Sequence, residues 1–406
     1  GEWDADLWSG LIRAWSGMDL DEDKHLTVFK RLGRVELYPK HAREIANALK
    51  ALVESDGKPY ALNLLPEANE IAASLWHTLD KIPPVEETDN WSTTAINHPA
   101  GVLAEFWLRG LSLRRKHQDP PPKVMSGEYR MALSGIVQDT TVPGRLGRSV
   151  LAGQFAFLLA ADEKWTKENL VSLFGNRENI ADFQAVWDGF LTWGRLNPTV
   201  ADNLHDAFLE AVQQIDSDLA NRRNDFVRRY TTMLGYFVAD PLETWVPKLL
   251  GHGGEEARRR FALEIGSHLR RMNEKQQREW WGRWLKRYWE NREQGVPVPL
   301  EPGEVQTMLG WLPALTAVFP AAVALAIQMP QVPLQDGIVI YQVSKKDSLV
   351  RKHPQEVAKL LIYLGKCASP GYVWYKGTEL VKRLFESDLP KDLEQRLKEL
   401  KVRKGL

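Results

Sequence analysis

Three segments of this chain open in the same way. His98-Pro99-Ala100-Gly101-Val102, Phe319-Pro320-Ala321-Ala322-Val323 and His353-Pro354-Gln355-Glu356-Val357 each place a proline three residues before a valine. Each then continues in a helical apolar pattern. Proline has no N–H to donate and a fixed φ, so it fits the first turn of a helix and disrupts its interior. One opening repeated on separate segments predicts stacked helical hairpins, an architecture that usually serves binding rather than catalysis.

The rest of the chain follows the helical period. Lys40 to Val53 carries Ile45, Leu49, Leu52 and Val53 on one face and stops at Asp56-Gly57. Leu65-Pro66 reads as the start of a helix holding Ala68, Ile71, Leu75, Trp76 and Leu79, ended by Pro83-Pro84. Pro99 opens the next, which ends before the stiff run Asp119-Pro120-Pro121-Pro122. Arg148 to Leu159 is almost continuously apolar and reads as one central helix, and Thr166 as the cap of another. Phe183–Trp193 pairs with Pro198–Ile215, Phe226–Val238 with Trp245–Leu250, and Glu255–Leu269 with Lys275–Trp289. Such pairs recur at roughly 35–45 residues, the range of helical-hairpin repeats. The best strand candidate is Gly337–Val343, short and β-branched, though a linker or a helix start fits it equally.

The expected fold is therefore all-α, an irregular HEAT/TPR-like solenoid of stacked hairpins with at most a very small β element. Residues 1–300 read as the helical array and 301–406 as continuing C-terminal pairs, or the whole as one continuous domain.

Charge is balanced, with 53 basic and 53 acidic residues, so no global field favours nucleic acid or an anionic membrane. Cys367 is the single cysteine, which excludes an intrachain disulfide and a thiolate metal cluster and fits a reducing cytosol. The chain starts at Gly1 with no signal-peptide pattern, and a further segment upstream is expected. Val305 to Gln335 holds no charged residue. Pro313, Pro320, Pro330 and Pro333 interrupt it, so it reads as two short buried helices, Glu304–Val318 and Pro320–Met329, and not as a membrane span.

Sites of chemistry are scarce. Asp19, Asp21 and Asp23 alternate like the first ligands of an EF-hand, but Lys24 and Lys30 stand where glycine and glutamate are needed. Asp6, Glu22 and Lys24 lack the adjoining strands of a nuclease metal site. His252-Gly253-Gly254 has no nucleophile elbow to accompany it and reads as a helix stop. No phosphate-binding loop, dinucleotide fingerprint or His-Glu-x-x-His is present. No catalytic, cofactor or metal site is expected.

The strongest charged feature is Glu255 to Arg292, with eleven Lys and Arg against six Glu. Trp280, Trp281, Trp284, Leu285, Tyr288 and Trp289 occupy one half of a helical wheel there. Arg283, Lys286 and Arg287 occupy the other, with Glu279 and Glu290 beside them. An aromatic half in the core and a mixed-charge half in water is the simpler reading. A basic, aromatic nucleic-acid surface over 258–292 is the alternative. Arg283, Lys286 and Arg287 are the candidate partner-binding residues.

The run Ile96-Asn97-His98-Pro99-Ala100-Gly101-Val102-Leu103-Ala104-Glu105-Phe106-Trp107-Leu108, with Leu312-Pro313 and Phe319-Pro320, resembles the large helical domain of unknown function that follows SIR2-like domains in bacterial antiphage proteins. That resemblance implies a C-terminal sensor or scaffold acting on an N-terminal NAD-hydrolysing SIR2-like effector of the same protein. A phage protein would be the trigger. Separately from the resemblance, a homo-oligomer is a further partner expectation for a stacked helical array. The family's packing motifs carry no catalytic residue to this chain.

Overall fold

The computed structural model describes residues 5–17, 21–33, 37–54, 60–82 and 90–406. Asp19 and the breaks at Asp56-Gly57 and Pro83-Pro84 lie outside them. The chain is an all-α protein in which successive helices pack as hairpins, in two compact units, Gly1–Ala211 and Val212–Leu406.

The proline openings form as expected. Pro99–Lys116, Phe319–Ala326 and Pro354–Cys367 are helices with proline in the first two positions, and Val102, Val323 and Val357 are all buried. They differ in how they are capped. His98 is extended and its Nδ1 accepts the Ala100 N–H at 3.1 Å, satisfying one orphan donor of the first turn. His353 makes no such bond, and its ring lies 6.0 Å from Phe319. Gly101 is required by a close approach: a Cβ there would sit 2.1 Å from the Ala95 carbonyl oxygen of the preceding short helix Trp91–Asn97.

In the first unit, Val142–Gly153 packs on Ile180–Trp193, and Tyr38–Glu54 packs on both Pro99–Lys116 and Ala5–Gly17. Phe174, Trp187 and Phe208 meet edge-to-face in the core, with centroids 5.2 and 4.9 Å apart. In the second, Glu255–Arg271 packs on Arg223–Tyr236 and Pro302–Leu309, and Pro354–Cys367 packs on Lys391–Lys404.

Several boundaries depart from the sequence reading. Of the readings open for Gly337–Val343, the structure has the helix start and not the strand: Ile338–Ser344 is a helix. Its Val339, Ile340 and Val343 fall on one buried face, and Asp336 accepts the Ile338 N–H at 3.1 Å to start the turn. The small β element lies just before it: Leu334–Asp336 pairs in parallel with Ala368–Val373 through an irregular register. The helix predicted from Pro66 begins at Tyr60 and runs through the proline to Trp76, held by buried Leu64 and Leu65. Arg148–Leu159 is divided at Gln154 into Val142–Gly153 and Phe155–Ala161. Asp162, not Thr166, caps Glu163–Asn169, accepting the Trp165 N–H at 3.0 Å. The predicted Glu304–Val318 helix stops at Leu309, because Gly310 and Pro313 leave only a turn and a short 3-10 segment, Thr316–Val318. Among the described residues no helix is long and apolar enough to cross a membrane.

Candidate functional site

The helix that carries the predicted residues starts at a capping box. Asn273 accepts the Gln276 N–H, and the Gln276 side chain accepts the Asn273 N–H, each at 3.0 Å. Glu274–Trp280 then widens into one π-helical turn, Trp281–Leu285, before Lys286–Glu293 resumes the α form. The aromatic half is core: Trp280, Trp281, Trp284, Tyr288 and Trp289 are all buried. Trp289 and Trp311 meet edge-to-face at 5.4 Å, and the Trp311 indole donates to the Ala262 carbonyl at 2.9 Å.

The charged half is only partly free. Arg283 is half-buried and donates to the carbonyls of Gly235 and Val238, where the Arg223–Tyr236 helix ends. Cationic donors at a helix C-terminus satisfy carbonyls that have no partner within the helix. Arg287 bonds Asp240 at 2.9 Å and the Arg283 carbonyl at 2.8 Å. Lys286 is exposed, 3.6 Å from Glu290. Thus Arg283 and Arg287 fasten the turn after Tyr236, and Lys286 stays at the surface.

The other charges of this region also serve the frame. Gly295, at φ +73°, ends the Lys286–Glu293 helix in a Schellman motif: its N–H bonds the Arg292 carbonyl, and the Val296 N–H bonds that of Asn291. Arg292 lies inside this turn and donates to the carbonyls of Val296 at 2.9 Å and Val298 at 2.7 Å. Arg258 donates to the Gly253 carbonyl at 2.9 Å, Arg260 pairs with Glu264, and Arg278 pairs with Glu274 at 2.6 Å. Asp21, the EF-hand-like residue, caps Glu22–Leu32. It accepts from the Lys24 N–H and ammonium, which hold its carboxyl below the usual range. No group of three or more His, Cys, Asp or Glu among the described residues is placed to hold a metal ion.

Among the described residues of the first unit, three clefts differ in chemistry. In one, Lys123, Lys164 and Lys167 meet Glu163 and Glu168, and Lys167 bonds Glu163 at 2.6 Å. In the second, Glu105 is held by Lys50 at 2.5 Å and faces Arg109. The third, of about 490 Å³, has no lysine or arginine in its walls. One wall is a row of the Tyr60–Trp76 helix, Pro66, Asn69, Glu70 and Ala73, at i, i+3, i+4, i+7 spacing. The other is Glu128, Met131, Ala132 and Gly135 of Gly127–Gln138, at the same spacing.

Trp76 and Trp107 join these walls, with ring centroids 5.7 Å apart. The Trp76 indole N–H donates to Asp139 at 3.0 Å, and its far edge rests on Gly147, so the ring has little freedom. Met131 is 72% exposed. Both polar atoms of the Asn69 amide are buried without a hydrogen bond at bonding geometry, and the Tyr129 hydroxyl is their polar neighbour. Burial pushes that hydroxyl up to about 12. Glu70 is exposed and has no ion-pair partner among the described residues, whereas Glu128 lies 2.7 Å from Arg114.

Sequence reasoning placed Trp76 among the apolar residues of its helix and did not single out Glu70, Asn69 or Met131. The usable signal was the row of polar and small residues on the outer face of an otherwise apolar helix. No curated protein and no solved structure matches the chain. Residues 237–387, within the second unit, match DUF4020, a domain of unknown function.

Proposed function

We propose that this chain is a non-catalytic recognition and scaffold module of a bacterial antiphage defence protein. In this reading it senses a phage protein, or mediates assembly, and controls an N-terminal NAD-hydrolysing SIR2-like effector in the cytoplasm. The observation that carries the reading is the use of buried charge. Arg148 closes the end of Gly127–Gln138 through the Ile136, Val137 and Asp139 carbonyls, and Asp162 receives the Met125 and Trp165 N–H groups. Arg292 ties the Val296–Pro299 loop to Glu304. Charges spent in this way stiffen a frame, and a stiff helical frame leaves its outer faces free to specialise in binding. The resemblance around Ile96–Leu108 supplies the defence context.

The nucleic-acid alternative draws less support. Of the eleven basic residues between Glu255 and Arg292, seven are engaged: Arg258, Arg260, Arg278, Arg283, Lys286, Arg287 and Arg292. Pairing of this kind reduces the counterion release that drives backbone binding.

The test is phage protection by the full-length protein with charge reversals at Lys286 and Arg287, scored beside thermal stability. Loss of protection in a stably folded variant supports recognition through this face. Retained protection in both variants removes this face from the proposal. Salt-sensitive micromolar DNA or RNA binding that these reversals abolish would favour the alternative.

A further inference from the structure

We propose that the cleft between the Tyr60–Trp76 and Gly127–Gln138 helices binds a compact organic cation with an apolar body, of the quaternary-ammonium or alkylammonium class. The inference stands apart from the proposed function. Three observations converge on it. The first is the aromatic pair: Trp76 and Trp107 lie 5.7 Å apart at the cleft. An indole is the strongest cation–π partner among side chains. The Asp139 carboxylate that accepts the Trp76 N–H fixes the ring and adds electron density to it.

The second is charge. Glu70 and Glu128 are the carboxylates of the walls and His77 is their imidazole; no lysine or arginine lines the cleft, and Arg114 pairs with Glu128 from outside the lining. Glu70 has no cation of its own among the described residues, unlike the carboxylates of the other two clefts. The chain already builds one such arrangement internally. Arg114 sits 5.5 Å over the Tyr129 ring while bonding Glu128 at 2.7 Å, a cation held between an aromatic face and a carboxylate.

The third is an under-satisfied amide on the wall that carries Glu70. Both polar atoms of the Asn69 amide are buried short of hydrogen-bonding geometry, with the Tyr129 hydroxyl as a polar neighbour. Buried amides in that state cost stability unless a ligand or water completes them. A hydroxyl or carbonyl on the apolar body of the cation would do so. Exposed Met131 at the rim supplies a polarizable, adaptable contact for methyl groups. Small Ala73, Ala132 and Gly135 leave the space open.

Choline and its neutral isostere 3,3-dimethyl-1-butanol separate charge from shape, because one carbon replaces the nitrogen. Each is titrated into the 406-residue chain by calorimetry, with circular dichroism as the fold control. Choline is expected to bind saturably, about 3–30-fold more tightly than the isostere, as a cation–π contribution implies. Glu70→Gln should weaken choline about 3–10-fold and leave the isostere unchanged. Ala73→Trp, which fills the cleft from an exposed position, should abolish binding of both without loss of helicity. Equal affinity for the two compounds, choline binding that survives Ala73→Trp, or no saturable choline binding at millimolar concentration would each overturn the proposal.

Discussion

Arg292 and Glu304 are joined by two hydrogen bonds, 2.7 and 2.8 Å long, with side chains 0% and 1% exposed. The Tyr288 hydroxyl donates a third to Glu304 at 3.0 Å. The remaining guanidinium donors reach the carbonyls of the loop that follows. The pair therefore connects the end of one helix, a proline-rich loop and the start of the next.

Removing one partner leaves the other charge buried. Arg292→Met or Glu304→Gln should each cost about 3–5 kcal/mol. The double replacement should recover part of that loss, but not the part due to the orphaned loop carbonyls. Urea denaturation of the two single variants and the double variant measures the coupling. Near-neutral single variants would mean that the pair is not the fastening it is described as.

His98 gives the fold a pH dependence of known sign. Burial lowers its pKa from 6.5 to about 4, and its neutral Nδ1 accepts the Ala100 N–H. Between those values the unfolded chain binds more protons than the folded one, so the contribution is complete above 6.5 and declines as pH falls toward 4. The loss should be about 1–2 kcal/mol after allowance for partial exposure. His98→Asn keeps a capping acceptor and should flatten this part of the profile. His98→Ala should cost about 1 kcal/mol at neutral pH. Chemical denaturation at pH 7 and pH 5 distinguishes them.

The two halves of the Glu274–Glu293 region should behave unequally. Trp284→Ala and Tyr288→Ala should each cost about 3–5 kcal/mol, since both are fully buried. Arg283→Glu should cost about 1–3 kcal/mol by releasing the Gly235 and Val238 carbonyls. Lys286→Glu should stay within about 0.5 kcal/mol. Thermal melts of the four variants check the order, and a Lys286 variant as damaging as Arg283→Glu would show that the surface assignment is wrong.

These elements show what a single chain reveals about itself. The proline openings were legible because a residue without an N–H restricts its own position in a helix, whatever packs around it. The aromatic half of 280–289 was legible because its spacing is a property of one helix. The strand at Leu334–Asp336 was not, because its partner, Ala368–Val373, lies some thirty residues on and the β-branched run beside it satisfies a helical face equally well. Nor was the role of Arg283 and Arg287, because the Gly235, Val238 and Asp240 groups that they fasten lie outside their own helix. The Trp76–Trp107 cleft is assembled by three helices, and no one of them contains its pattern.

NAD consumption, followed in parallel for the purified 406-residue chain and for the full-length protein before and after phage challenge, tests the central claim most directly. The account predicts no NAD loss with the chain alone. It predicts loss with the full-length protein only after challenge, in a manner that depends on an intact outer surface of this chain. NAD loss catalysed by the chain alone, and stopped by mutation of one defined residue within it, would contradict the account.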